Sequence, residues 1–386
     1  MYSLNPWTGK KIREFQICDN TLREGEQAPG VAFAVNEKIA IASMLDEVGV
    51  EVIETGFPAV SEEERVAIKK ITELGLDAKT SGLCRASKTD VDLAAECDLD
   101  WVSIFVATSD LHLEYKYKCS REEIVEKMVD ALTRAKEYGL KVRVAAEDAT
   151  RTNLEFLKDF YVSAEQNGAD MVSIADTVGI LNPSSTAYLV EEVKKEISLP
   201  VAVHFHNDLG MATANTLTAL EHGAYQIQTT VNGIGERAGN ASLEEVVVSL
   251  RVLYGIEKYR AEWLKEISRM VEEFSGVSTA PTKPVVGNHV FTHESGIHVA
   301  AVVENPSTYE PFSPEMVGME RRFIIGKHTG KKALRALLAK EGIYIEENEL
   351  SKLLKNIKVR SGRFKESFTV RELVTMLKSE KLEKKA

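Results

Sequence analysis

The chain has 386 residues, 44% hydrophobic and 28% charged, with a formal charge of −11 and an isoelectric point of about 5.4. That length holds one large α/β domain and a smaller one. The acidic balance argues against a non-specific nucleic-acid binder, which needs a basic surface. No apolar run approaches the ~20 residues of a bilayer crossing. Met1 to Arg13 lacks a secretory hydrophobic region. A cytoplasmic protein with neither membrane nor nucleic-acid partners is expected. Cys18, Cys84, Cys97 and Cys119 have no CxxC spacing and read as reduced, structural thiols.

Strand-like and helix-like runs alternate along most of the chain. Strands are expected at Phe15–Cys18, Val50–Ile53, Asp77–Leu83, Trp101–Val106, Lys141–Ala146, Met171–Ile174, a run from Val201 into His204 and His206, and Tyr225–Val231. Helical patterns lie between them. One spans Asn36 to Val48, with Asn36 as N-cap and Gly49 as stop. Another begins at Ser61, where Ser61-Glu-Glu-Glu64 fits a capping box. Further ones span Arg121 to Tyr138, Asn153 to Asn167, Thr186 to Ile197 and Ala212 to His222. Such alternation implies a parallel sheet with right-handed crossovers. About eight units in roughly 260 residues fit a (β/α)8 TIM barrel. A doubly wound open sheet is the competing arrangement.

After Gly276 the texture changes, and five prolines from Pro281 to Pro314 punctuate a stretch with little helical period. Residues 1–276 are therefore read as the barrel and 277–386 as a linker with an α-rich C-terminal subdomain. Its helices are expected at Lys331–Ala339, Glu347–Ile357 and Thr369–Ser379, followed by a frayed Lys-rich tail.

A barrel carries its chemistry at the C-terminal strand ends. Arg23, Glu24, Glu147, Asp148, Thr177, His204, His206 and Asn207 fall there. His204 and His206 share a strand face, which makes half a metal site; the bland alternative is one core histidine and one exposed. Glu24 or Asp19 could supply an anionic third ligand, and Asn240 an oxygen. Such a set suits Mg, Mn or Zn with open positions. Arg23 is either a surface ion-pair partner or a fixed cation for an oxyanion. Thr177 and Arg143 could bind a substrate carboxylate. Arg143 interrupts an apolar strand and demands a partner, Glu147 or Glu51 on the structural reading. His293-Glu-Ser-Gly-Ile-His298 is one residue too long for a zincin. Gly326 to Lys332 resembles a phosphate loop only loosely.

Three segments together carry a family signature: Asn20-Thr-Leu-Arg-Glu-Gly-Glu-Gln27, His204-Phe-His-Asn-Asp-Leu-Gly210 and Asn232-Gly-Ile-Gly-Glu-Arg-Ala-Gly-Asn240. They resemble those of the acetyl-CoA-dependent 2-oxo acid condensing enzymes: the homocitrate, 2-isopropylmalate and citramalate synthases, relatives of hydroxymethylglutaryl-CoA lyase. The resemblance extends to Phe291 through His298. It implies a metal-dependent (β/α)8 barrel acting as a homodimer, whose C-terminal subdomain reaches the partner's site. Glu24, His204 and His206 would ligate the divalent metal, with Asn240 close by. Arg23 would contact the substrate carbonyl, Thr177 the 2-oxo acid carboxylate, and Glu147 would orient substrate. His298 and Tyr309 would come from the other protomer for proton transfer.

The implied reaction is a Claisen-type condensation with acetyl-CoA as co-substrate, followed by thioester hydrolysis. Arg143 resembles an arginine of lysine-pathway homocitrate synthases and would suit the second carboxylate of 2-oxoglutarate. Gly56-Phe-Pro-Ala59 looks more like isopropylmalate synthases, and Ser103 stands where relatives usually have His or Asp. A 2-isopropylmalate or citramalate synthase is the alternative. A lyase running the reverse cleavage, a non-haem iron oxygenase and a non-catalytic metal or metabolite sensor are the competing classes.

Overall fold

The computed structural model describes residues 12–383. The expected strands form a closed parallel barrel in sequential order. They are β1 (Gln16–Asp19), β2 (Val52–Gly56), β3 (Lys79–Arg85), β4 (Trp101–Ala107), β5 (Lys141–Glu147), β6 (Met171–Asp176), β7 (Val201–Phe205) and β8 (Gln226–Thr229). Closure is made by β1, which pairs in parallel with β2, Cys18 opposite Val52, and with β8, Cys18 opposite Gln228. An open doubly wound sheet is thereby excluded.

Helices α1 (Val35–Val48), α2 (Glu62–Thr72), α3 (Lys88–Ala95), the single turn α4 (Asp110–His112), α5 (Arg121–Glu137), α6 (Leu154–Gln166), α7 (Pro183–Glu196), α8 (Ala212–Glu221), α9 (Leu243–Tyr254) and α10 (Leu264–Ser275) follow their strands. Helix α1 buries Ile41, Ala42, Leu45 and Val48, one stripe of a 3.6-residue period. The Ile, Leu and Val side chains each contribute roughly 1.5–3 kcal/mol of burial. Gly49 ends it at φ 92°, the left-handed stop that glycine adopts without strain.

Two helix starts differ from expectation. Helix α1 is capped at Ala34, not Asn36, because the Glu37 carboxylate accepts the Ala34 N–H at 2.8 Å. At α2, Ser61 Oγ accepts the Glu64 N–H at 3.0 Å, yet the Glu64 carboxylate does not return to the cap. It turns inward to Lys38 and to the Phe57 N–H.

The chain divides into two compact units between Thr279 and Ala280. In the second, α11 (Gly296–Glu304) lies within the stretch expected to be linker. Its run of Val and Ala is apolar on every side, which hides the helical period. A small sheet of β9 (Thr292–His293), β10 (Arg322–Ile325) and β11 (Phe368–Thr369) was also missed, its strands being too short to alternate visibly. Helices α12 (Lys331–Lys340), α13 (Glu347–Phe364) and α14 (Val370–Glu383) complete the unit. Val299, Ile325, Leu334, Leu337, Leu350 and Phe368 are among its core. The tail expected to fray is helical to Glu383; its last three residues, and Met1 to Lys11, lie outside the described residues.

Candidate active site

The mouth of the barrel holds a cavity of about 370 Å³. Its lining follows strand alternation: Ser103 and Phe105 from β4; Arg143, Ala145 and Glu147 from β5; Ser173, Ala175 and Thr177 from β6 and its end; His204 and His206 from β7 and its end. Arg23, Glu24 and Gln27 enter from the loop after β1, and Glu236 and Arg237 from the loop after β8.

Glu24, His204 and His206 converge, each offering a ligand atom within 4.8 Å of the others. The two Nε2 atoms stand 3.4 Å apart, and His206 Nε2 is 3.8 Å from Glu24 Oε1. Two bonds of about 2.1 Å at a tetrahedral angle span about that nitrogen separation. Burial pushes His204 down to about 3, with the His206 ring adding to the shift, and burial also lowers His206. Both imidazoles are therefore neutral and able to donate lone pairs. Burial opposes ionisation of Glu24, but attraction to the Arg23 guanidinium leads the effects that hold the carboxyl down to about 2.

Asn240 pairs with His206 through an isolated bridge and donates Nδ2 to the Ile234 carbonyl at 3.3 Å. Its Oδ1 is buried with no protein partner, as is Nδ1 of His206. A side chain at Gly235 would collide with the Asn240 amide, so glycine there lets the loop close beside the triad. A neutral nitrogen pair, an ionised carboxylate and an orphaned amide oxygen together fit a divalent cation. Asp19, the other candidate acid, is not part of the cluster. It accepts from Thr21 N at 2.9 Å and Thr229 Oγ1 at 3.0 Å, and burial lifts it to about 7.

Below the triad lies a polar network. Arg23 pairs with Glu24 through Nη1, and its Nε donates to Glu54 Oε2 at 2.6 Å. The other Glu54 oxygen accepts from Arg143 Nη2 at 2.7 Å. Arg143 also donates to Ser103 Oγ at 3.1 Å, to Cys18 Sγ at 3.5 Å and to Gln226 Oε1. Its ionic partner is thus Glu54, neither Glu147 nor Glu51. Glu54 lies one residue past the expected strand Val50–Ile53, but β2 extends to Gly56 and carries it into the barrel interior, fully buried.

Thr177 Oγ1 accepts the Asp148 N–H at 2.8 Å. Glu147 receives Lys116 Nζ at 2.8 Å on both oxygens. Arg237 pairs with Asp208 at 2.9 Å and donates to the Thr177 carbonyl at 2.6 Å. Lys116 and Arg237 were not singled out from the sequence. Both sit in loops of irregular turn, where no period marks them.

In the second unit His298 and Tyr309 stack, ring centroids 4.0 Å apart at 26°. Beside them Glu310 is buried and accepts from His293 Nε2 at 3.0 Å and from Arg321 Nε at 2.6 Å. His293 thus serves an ion pair. The Gly326 to Lys332 loop closes on itself, the Gly326 N–H donating to Thr329 Oγ1 at 2.9 Å.

The HMGL-like family model matches residues 14–271, and the model described as homocitrate synthase post-HMGL domain-like matches 285–363. Homocitrate synthase AksA of Methanosarcina mazei is 52% identical over 371 residues, 95% of this chain and 92% of that protein. The 2-isopropylmalate synthase of Methanocaldococcus jannaschii is 48% identical over 354 residues, 90% of this chain and 68% of that protein. Among solved structures, the HMG-CoA lyase of Bacillus subtilis superposes with a TM-score of 0.64 at 21% identity, covering 71% of this chain and 97% of that one; this speaks for the fold. The barrel, the signature segments and half-identity over nearly the whole length agree: the chain belongs to the HMGL-like family and, within it, to the acetyl-CoA-dependent 2-oxo acid condensing enzymes.

Proposed function

We propose that the protein condenses acetyl-CoA with 2-oxoglutarate to give homocitrate, as a homodimer. The reaction class rests on one observation, the convergence of Glu24, His204 and His206 beside the Arg23 guanidinium. A divalent cation held by those three, with Asn240 beside them, supplies Lewis-acid polarisation of the 2-oxo group when bound.

The remaining roles belong to the chain. The Thr177 hydroxyl, its lone pair engaged by the Asp148 N–H, donates its proton to the carboxylate next to the ketone. Glu147 orients the acid. Arg23 faces the oxygen on which charge develops as the ketone is attacked. Arg143, in the cavity lining, receives the distal carboxylate. The stacked His298 and Tyr309 of a second copy take part in removing a methyl proton from acetyl-CoA. The enolate carbon then bonds to the ketone carbon, and water cleaves the thioester to release free CoA.

A second reading has its own support. Arg143 is already matched by Glu54, and Phe57, Leu83 and Phe105 line the same cavity. Those apolar surfaces suit the branched side chain of 2-oxoisovalerate, the acid of a 2-isopropylmalate synthase. A thiol-release assay with acetyl-CoA and 2-oxoglutarate, 2-oxoisovalerate, pyruvate or oxaloacetate decides. Preference for 2-oxoglutarate is expected. Preference for 2-oxoisovalerate or pyruvate overturns the homocitrate assignment. No release with any of them, together with cleavage of hydroxymethylglutaryl-CoA, overturns the synthase.

A further inference from the structure

We infer that Lys38 is a positioning residue for the Arg23–Glu24 turn, setting from behind the site how well that turn meets a metal ion and substrate. Lys38 lies on the inner stripe of α1 with Ile41, Ala42 and Leu45, where the helical period calls for an apolar side chain. It is 1% exposed. A lysine there costs desolvation and is tolerated only with full pairing.

The pairing is complete and directed at one place. An ammonium has three donors. Lys38 Nζ meets Glu26 Oε2 at 2.7 Å, Glu64 Oε2 at 2.5 Å and the Leu22 carbonyl at 3.4 Å. Leu22 and Glu26 bracket Arg23, Glu24 and Gly25, so one cation grips both ends of the turn that carries the metal ligand and its neighbouring guanidinium. Each carboxylate also has a second task. Glu26 accepts the Phe33 N–H at 2.8 Å, and Glu64 accepts the Phe57 N–H at 3.1 Å. The loops after β1 and β2, which supply Arg23, Glu24, Gln27 and Phe57 to the cavity, are thereby tied to one nitrogen atom. A side chain at Gly56 would collide with the Glu64 carboxylate, so the sequence makes room for this pairing at a second position. Were stability alone at stake, an apolar residue of similar volume would serve as well or better.

Lys158 is the natural control. It sits on α6 among Glu155, Glu192 and Glu196, all on the outer helices and away from the cavity. The inference rests on the metal reading of Glu24, His204 and His206, but not on which 2-oxo acid is used. The experiment titrates metal-free protein with Mn2+ by calorimetry, for wild type, K38M, K38R, the charge-balanced pair K38Q/E64Q, and K158M. Outer-layer supports of metal ligands are worth roughly 10–100-fold in affinity or activity. K38M and K38Q/E64Q are expected to bind Mn2+ at least ten-fold more weakly and to lose at least ten-fold in kcat, with KM for acetyl-CoA within about two-fold. K38R should recover part of the loss, and K158M should match wild type. If K38M does not fold, K38Q/E64Q carries the test, leaving only the partly exposed Glu26 carboxylate without a cation. Folded Lys38 variants that bind Mn2+ and turn over like wild type overturn the inference alone. A wild type that takes up no Mn2+ overturns the metal reading, and the inference with it.

Discussion

The N–H of Asp148, a residue in the left-handed region at φ 58°, points at Thr177 Oγ1 and donates to it at 2.8 Å. The Asp148 carboxylate is fixed in turn by Ser109 Oγ at 2.5 Å and Arg151 Nε at 2.8 Å. With its lone pair so engaged, the threonine hydroxyl has its proton left for an acceptor in the cavity. T177V removes that donor and is expected to raise KM for the 2-oxo acid about 10–100-fold, the range of a lost hydrogen bond to a charged group. T177S should stay within about three-fold. Steady-state kinetics against the acid at saturating acetyl-CoA checks both.

Chelation separates the metal-ligand assignment from the rest of the site. EDTA followed by desalting should abolish CoA release, and Mn2+ should restore it in wild type. E24Q and H206A should retain little metal by elemental analysis and lose at least about 10²-fold in kcat that added Mn2+ does not recover. Full restoration in E24Q would remove Glu24 from the ligand set.

Arg143 can be tested apart from its ion pair. R143M alone leaves Glu54 buried with only Arg23, and breaking a buried pair costs about 3–5 kcal/mol. R143M/E54Q removes both charges, although Glu54 also braces Arg23. If Arg143 reads the distal carboxylate, both variants should lose kcat/KM for 2-oxoglutarate at least about ten-fold more than for 2-oxoisovalerate. Equal losses on both acids would assign Arg143 to the barrel wall alone.

Acid should weaken the metal-free protein through His204. Its folded pKa, pushed by burial from 6.5 to about 3, lies below the unfolded value. Above 6.5 neither state is protonated and the folded state is favoured in full. As the pH falls from 6.5 towards 3, the unfolded chain binds a proton that the folded one refuses, so stability drops by about 1.4 kcal/mol per pH unit. H204N should flatten that acid limb. Urea unfolding of both proteins from pH 7 to 4, in chelator, compares the slopes; equal slopes would rule this origin out.

The thiols give a simple probe of packing. Cys18, Cys84 and Cys97 have no exposed surface, whereas Cys119 is partly exposed. Burial pushes Cys18 up to about 12 and Cys97 up to about 11, and raises Cys84 as well. A disulfide-exchange reagent should titrate Cys119 first in native protein and reach all 4 cysteines only after denaturation.

Much of the barrel was readable because each strand ends in a turn and each helix has a stripe. Glu24 and His204 could be brought together on paper because closing eight strands in order leaves β1 beside β8 and near β7. The interior was harder to read. Gln226 and Gln228 point into the lumen, yet alternating polar residues in a strand read as solvent-facing. Glu54 was hidden because the apolar run stops at Ile53, while the strand itself continues to Gly56. Lys38 was hidden because a charge on an amphipathic helix is taken for its outer face. Lys116 lies within a five-residue π turn, Leu113–Tyr117, and Arg237 has φ 55°; neither geometry leaves a repeating pattern.

Arg143, Glu54, Gln226 and Ser103 are knitted together by hydrogen bonds inside the barrel, where they form the floor of the cavity. Whatever reacts at its far end has to arrive first, since a bulky thioester in the entrance blocks the passage behind it. The keto acid should therefore be the leading reactant and the acetyl carrier the following one. Dead-end inhibition patterns would reveal that queue without any substitution in the chain.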